Sequence, residues 1–101
     1  MTEQTTTGVH WLEPGALYRD PTGGAIVLVL AAPMSLGLLR CNGVAMVPSK
    51  PLPCSYRSGT SRGTHLRAGR RYRDILSGLE VRCLRSGYGY LTFANRILAA
   101  A

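Results

Sequence analysis

Apolar positions along this chain come in short extended runs separated by turn residues, and no apolar stripe of useful length follows a 3.6-residue period. That pattern predicts an all-β fold. In the first half, residues 16–19 read as a short strand, Asp20-Pro21-Thr22-Gly23-Gly24 as a turn, and residues 25–32 as a continuous apolar strand. A turn around Pro33 is expected to send residues 36–41 back antiparallel, before Asn42-Gly43, a strong hairpin signal. In the second half, residues 70–73 read as extended, 74–77 as a turn, 78–84 as a strand, 86–89 as a tight turn and 90–93 as a returning strand. The middle strand alternates here, with Leu79, Val81 and Cys83 on one face and Glu80, Arg82 and Arg85 outward. One half should therefore be buried on both sides while the other faces water.

The two halves repeat one another. Residues 12–27, LEPGALYRDPTGGAIV, and residues 66–81, LRAGRRYRDILSGLEV, match at 7 of 16 positions with a constant offset of 54. Chance would give about one match at ordinary residue frequencies. A chain of 101 residues suits one domain, and halves of roughly 40 residues would fold only on each other. The expected organisation is a first β unit over residues 9–47, a linker over 48–64 rich in proline, serine and glycine, and a second β unit over 65–101. Residues 1–8 are polar and expected to be loosely ordered, and Trp11 is expected to close one end of the core or line a binding rim.

Charge is distributed unevenly. Residues 1–47 hold two arginines against three carboxylates, net −1, whereas residues 48–101 hold ten basic and two acidic side chains, net +8. The positive field belongs to the linker and the second unit. Three cysteines, Cys41, Cys54 and Cys83, without CxxC spacing argue against a disulfide framework and a four-sulfur metal site. The N-terminus lacks a signal-type apolar core, and the longest apolar run, residues 25–39, is interrupted by Pro33, Ser35 and Gly37. A cytoplasmic protein with no membrane partner is expected.

Residues 69–98, GRRYRDILSGLEVRCLRSGYGYLTFANRIL, resemble desulforedoxin, a small rubredoxin-type β unit that binds iron through cysteines. Gly69, Tyr72, Gly78, Val81, Gly87, Gly89 and Leu91 match its pattern without a gap, and Leu98 takes the place of a methionine. The first unit follows the same plan with about two further residues in its hairpin, ending at Met46. Desulforedoxin is a homodimer, so the resemblance implies two tandem units packed as a pseudo-twofold small β-sandwich or barrel. At the four ligand positions the second unit has Asp74, Ser77, Phe93 and Ala94, and the first has Asp20, Gly23, Cys41 and Asn42. Neither set supplies four ligands, so the resemblance implies a scaffold without metal or other cofactor.

Two chemistries remain. Tyr18 and Asp20 share one strand face, as do Tyr72 and Asp74, and pseudo-twofold packing would let all four converge on a cleft for proton transfer, as in a small cofactor-independent cyclase or isomerase. The competing reading is that each aspartate caps its own turn. His10 and His65 with Asp20 or Cys41 lack any metal-ligand spacing. Second, the basic series Arg57, Arg62, Arg67, Arg70, Arg71, Arg73, Arg82 and Arg85 offers an arginine-rich face centred on Arg67, Arg70, Arg71 and Arg73, with Trp11 as a candidate for the binding rim. Such a face suits an acidic protein or anionic small molecule, and less so nucleic acid. The favoured expectation is an accessory or binding protein docking through that face.

Overall fold

A computed structural model of the chain describes residues 12–22, 24–50 and 66–101. Trp11, His10, His65, Cys54, residues 1–8 and the linker from residue 51 onward lie outside the described residues. No helix occurs among those described, and ten strands form two antiparallel sheets. The all-β expectation holds at that level.

The first five strands are β1 (Leu17–Arg19), β2 (Ile26–Ala31), β3 (Leu39–Cys41), β4 (Val44–Ala45) and β5 (Val47–Pro48). The second five are β6 (Arg71–Arg73), β7 (Glu80–Arg85), β8 (Leu91–Phe93), β9 (Arg96–Ile97) and β10 (Ala99–Ala100). A six-stranded sheet runs β10-β6-β7-β2-β1-β5, and a four-stranded sheet runs β4-β3-β8-β9. Neither order returns to its first strand, so both sheets are open and there is no barrel.

β2 and β7 form the middle of the larger sheet, as their β-branched and alternating sequences favour. They pair antiparallel with Val27 opposite Cys83 and Val29 opposite Val81, with register shifts on either side. Facing them, β3 and β8 pair with Leu39 opposite Phe93 and Cys41 opposite Leu91. All eight of these side chains are buried and, with Tyr18, Tyr72, Met46 and Leu98, belong to one apolar core between the sheets. Met46 and Leu98 sit where the chain crosses from the smaller sheet to the larger, between β4 and β5 and between β9 and β10.

Three expectations are corrected. Residues 36–41 and 90–93 do not return along β2 and β7: both edges of β2 are taken by β1 and β7, and those of β7 by β2 and β6. β3 and β8 therefore leave for the second sheet and pair with each other. Second, β2 is not buried on both sides, because Leu28 is half-buried and Leu30 exposed on its outer face. Third, the linker starts later than residue 48, since Val47–Pro48 pairs with β1 and the Ser49 N–H donates to the Leu17 carbonyl.

The expected Asn42-Gly43 turn is present: it joins β3 to β4 with φ of 55° and 80°. Positive φ at both central residues is what a two-residue hairpin of this twist requires, and Asn-Gly supplies it at little cost.

Candidate functional site

The larger sheet separates its residues by strand alternation. Tyr18 and Tyr72 point into the core, so Arg19, Arg71 and Arg73 point outward, and Asp20 and Asp74, one step further, turn inward again and are buried.

Each aspartate is held in its own turn. Asp20 Oδ1 accepts the Thr22 N–H at 3.0 Å and the Thr22 hydroxyl at 2.8 Å. Asp74 Oδ2 accepts the Ser77 hydroxyl at 2.6 Å, and Arg96 grips the same carboxylate with Nε at 3.0 Å and Nη2 at 2.7 Å. The Arg96 guanidinium, helped by Ser77 and opposed by burial, holds the Asp74 carboxyl down at about 2. The Tyr72 hydroxyl accepts the N–H of Arg67 at 2.9 Å, bracing the turn before β6. Burial, with the Glu13 carboxylate second, pushes the Tyr18 phenol upward.

The four side chains do not meet in one cleft. β1 and β6 run in opposite directions with β2 and β7 between them. Their C-terminal ends, and with them Asp20 and Asp74, lie at opposite ends of the sheet, with about 14 Å of lateral separation added at ordinary strand spacing. The turn-capping geometry is the one observed.

Cys41 and Cys83 are free, buried thiols. Burial first, then the Asp20 carboxylate, pushes Cys41 up to about 11, and burial does the same to Cys83 against a hydrogen bond to the Arg85 carbonyl. Thiols this weakly acidic stay protonated at neutral pH, where nucleophilic attack is not favoured. Among the described residues, no three histidine, cysteine, aspartate or glutamate side chains cluster closely enough to hold a metal ion.

The outer face of the same sheet carries a different chemistry. Arg71 on β6 lies directly opposite Arg82 on β7, and Arg82 lies opposite Leu28 on β2, which in turn lies opposite Leu17 on β1. One cross-strand row thus reads Arg, Arg, Leu, Leu. The next row places Arg73 opposite Glu80 and beside Ala99. Glu80 reaches Arg71 at 3.4 Å, with the arginine side chain half-exposed. No salt bridge to Arg73 or Arg82 occurs among the described residues. Arg67 and Arg70 are exposed in the turn preceding β6.

Among the residues expected at a site, the fold therefore brings Arg71 and Arg73 onto one surface, leaves Arg67 and Arg70 just beyond its upper end, and separates the two aspartates. Comparisons with profiles of known protein families, with curated proteins and with solved structures each found no match. Sequence reasoning places Arg82 outward on the middle strand, as observed, but misses Arg96 as the clamp on Asp74 and the exposed pair Ile75-Leu76 in the turn between β6 and β7. That last feature was legible: a turn position that holds Pro21-Thr22 in the first half holds two large apolar residues in the second.

Proposed function

We propose that this protein is a binding module that docks an anionic partner, such as an acidic protein segment, through the outer face of β6 and β7. The observation that carries this reading is Arg71 set directly opposite Arg82, with Arg73 one pleat away and Glu80 the carboxylate against them. Like charges placed opposite each other across two strands destabilise a sheet. A surface that keeps such a pair is explained by a partner whose negative charge neutralises it, and arginine's planar fork suits carboxylate or phosphate oxygens.

The same reading takes the scaffold as two tandem desulforedoxin-like units that have shed their metal and pack about a pseudo-twofold axis. Its support is that exchanging β1–β5 with β6–β10 leaves both sheet orders unchanged. A second support is the pair of hairpin turns at Asn42-Gly43 and Ala94-Asn95, each with two positive φ angles. The acid–base alternative finds no comparable support, since Asp20 and Asp74 are each occupied at opposite ends of the sheet.

The test uses soluble poly-glutamate as probe, with affinity measured by calorimetry at low and moderate salt. Arg71→Gln/Arg73→Gln/Arg82→Gln should lose binding by more than tenfold, and wild-type affinity should fall steeply with salt. The single Arg82→Gln change should at the same time raise stability by about 0.5 kcal/mol at low salt, as the cross-strand repulsion is relieved, with the gain fading at high salt. Unchanged affinity in the triple variant would remove the arginine face from the function.

A further inference from the structure

The arginine face continues into an apolar tip. β6 and β7 are joined by residues 74–79, closed by the Asp74 N–H donating to the Leu79 carbonyl at 2.9 Å and the Gly78 N–H to the Asp74 carbonyl at 2.8 Å. Inside this turn Asp74 is fixed by Ser77 and Arg96. Outside it, Ile75 and Leu76 are 76% and 75% exposed. Beside them lies the loop after β2, pinned by the Met34 N–H donating to the Ser77 carbonyl at 2.7 Å. That loop presents Met34 at 90% and Leu36 at 62% exposure. Its residues 32–36 also line a groove of about 300 Å³ with Leu12 and Glu13, whose carboxylate is the one acidic group of the lining.

Four large apolar side chains thus project from two adjoining loops at one end of the sheet. Turn tips normally hold glycine, proline or short polar residues. The fold does not demand apolar ones, because the corresponding turn at the opposite end carries exposed Pro21 and Thr22. Arg71, Arg73 and Arg82 stand on one face of the two strands that lead to this tip. Apolar side chains at protruding tips backed by cations fit a partner that is apolar within and anionic at its surface.

We propose that the partner is an anionic phospholipid bilayer surface: Ile75, Leu76, Met34 and Leu36 enter the boundary between headgroups and acyl chains, while Arg73, Arg71 and Arg82 contact lipid phosphates. This rests on the arginine face as the docking surface and names what docks there. Nothing spans the bilayer in this arrangement, and no helix among the described residues is long and apolar enough to do so. The sequence expectation of no membrane partner rested on the lack of such a segment, and insertion of loop tips leaves none to find.

The experiment is vesicle co-flotation of the full chain with phosphatidylcholine vesicles and with vesicles of phosphatidylcholine and phosphatidylglycerol at three to one. Wild type should float with the anionic vesicles, stay behind with the neutral ones, and be released by salt. Ile75→Ser/Leu76→Ser should weaken flotation about a hundredfold from lost apolar insertion, and Arg71→Gln/Arg73→Gln/Arg82→Gln should do the same through about a fivefold loss per cation. Removing three charges elsewhere, by Arg19→Gln/Arg40→Gln/Lys50→Gln, should leave most of the binding, and circular dichroism confirms that each variant is folded. Wild type that binds poly-glutamate through the arginines but ignores anionic vesicles would overturn the bilayer and leave the arginine face standing for an acidic protein. Failure to bind either probe would overturn both. Flotation unchanged by Ile75→Ser/Leu76→Ser, or a concentration-dependent dimer abolished by that variant without any vesicle binding, would likewise overturn the insertion of the tip.

Discussion

Asp74 is the residue whose chemistry is most fully determined by its surroundings. Its carboxylate is 3% exposed as a residue, accepts from Ser77, and is gripped in bidentate fashion by a guanidinium that itself remains about one-third exposed. A buried carboxylate without partners would be pushed up; this one is held down at about 2 because Arg96 outweighs burial. In the unfolded chain an aspartate titrates near 3.9, so the folded form favours the ionised group. The stabilisation is complete above about pH 5 and is lost as pH falls toward about 2. Asp74→Asn should cost about 2 kcal/mol at neutral pH and flatten the acid limb of the stability profile. Urea unfolding followed from pH 2 to 7 reads both effects, and parallel acid limbs for variant and wild type would refute the assignment. The burial of Asp74 and its turn could be read from the sequence, because Tyr72 and Asp74 alternate with outward arginines. Arg96 could not: it is 22 positions away, and its approach depends on β9 belonging to the other sheet.

At the scale of elements, the β3–β4 hairpin does more than reverse the chain. Asn42 takes the left-handed φ of 55° that its turn requires, and its side chain then crosses to the loop before β8. There its Nδ2 donates to the Tyr88 carbonyl at 2.7 Å and its Oδ1 accepts the Tyr90 N–H at 3.2 Å. One side chain thereby ties a hairpin of the first half to a loop of the second. Asn95 occupies a similar left-handed position at φ 66° in the β8–β9 turn, exposed and without a side-chain hydrogen bond among the described residues. Asn42→Ala should therefore cost about 2 kcal/mol, through two hydrogen bonds and the turn preference together, against about half that for Asn95→Ala. Asn42→Asp should fall between wild type and Asn42→Ala, because a carboxylate still accepts from the Tyr90 N–H and tolerates the left-handed φ but cannot donate to the Tyr88 carbonyl. Thermal unfolding of the three variants checks the ranking, and equal costs for positions 42 and 95 would show that the cross-loop bonds contribute nothing. Asn-Gly marked this turn in the sequence, whereas the destination of the strands beside it was misread. Residues 36–41 have the composition of a returning strand, and composition does not reveal that both edges of β2 are already occupied.

At the scale of the whole molecule, the two halves share two hydrogen-bonded seams, one in each sheet, and a single core. β2 and β7 meet at the centre of the larger sheet, β3 and β8 at the centre of the smaller, so both sheets are built across the boundary between halves. The repeat at offset 54 predicts two related units, and their length makes mutual dependence expected. The two-sheet layering was not legible, because it depends on which strands find partners across that boundary. Val29 and Val81 test the dependence directly: they are register partners from different halves, each at most 1% exposed. Val29→Ala and Val81→Ala should each cost about 2 kcal/mol through lost burial and the cavity left behind. Because the two methyl sets line the same space, the double variant should fall short of the sum by at least about 0.5 kcal/mol. Every variant should unfold in one transition, with tyrosine fluorescence and far-UV circular dichroism coincident, since neither half retains a core once the seams open. Two separable transitions, with each substitution moving only its own, would mean that the halves fold independently and that the seam between β2 and β7 does not unite them.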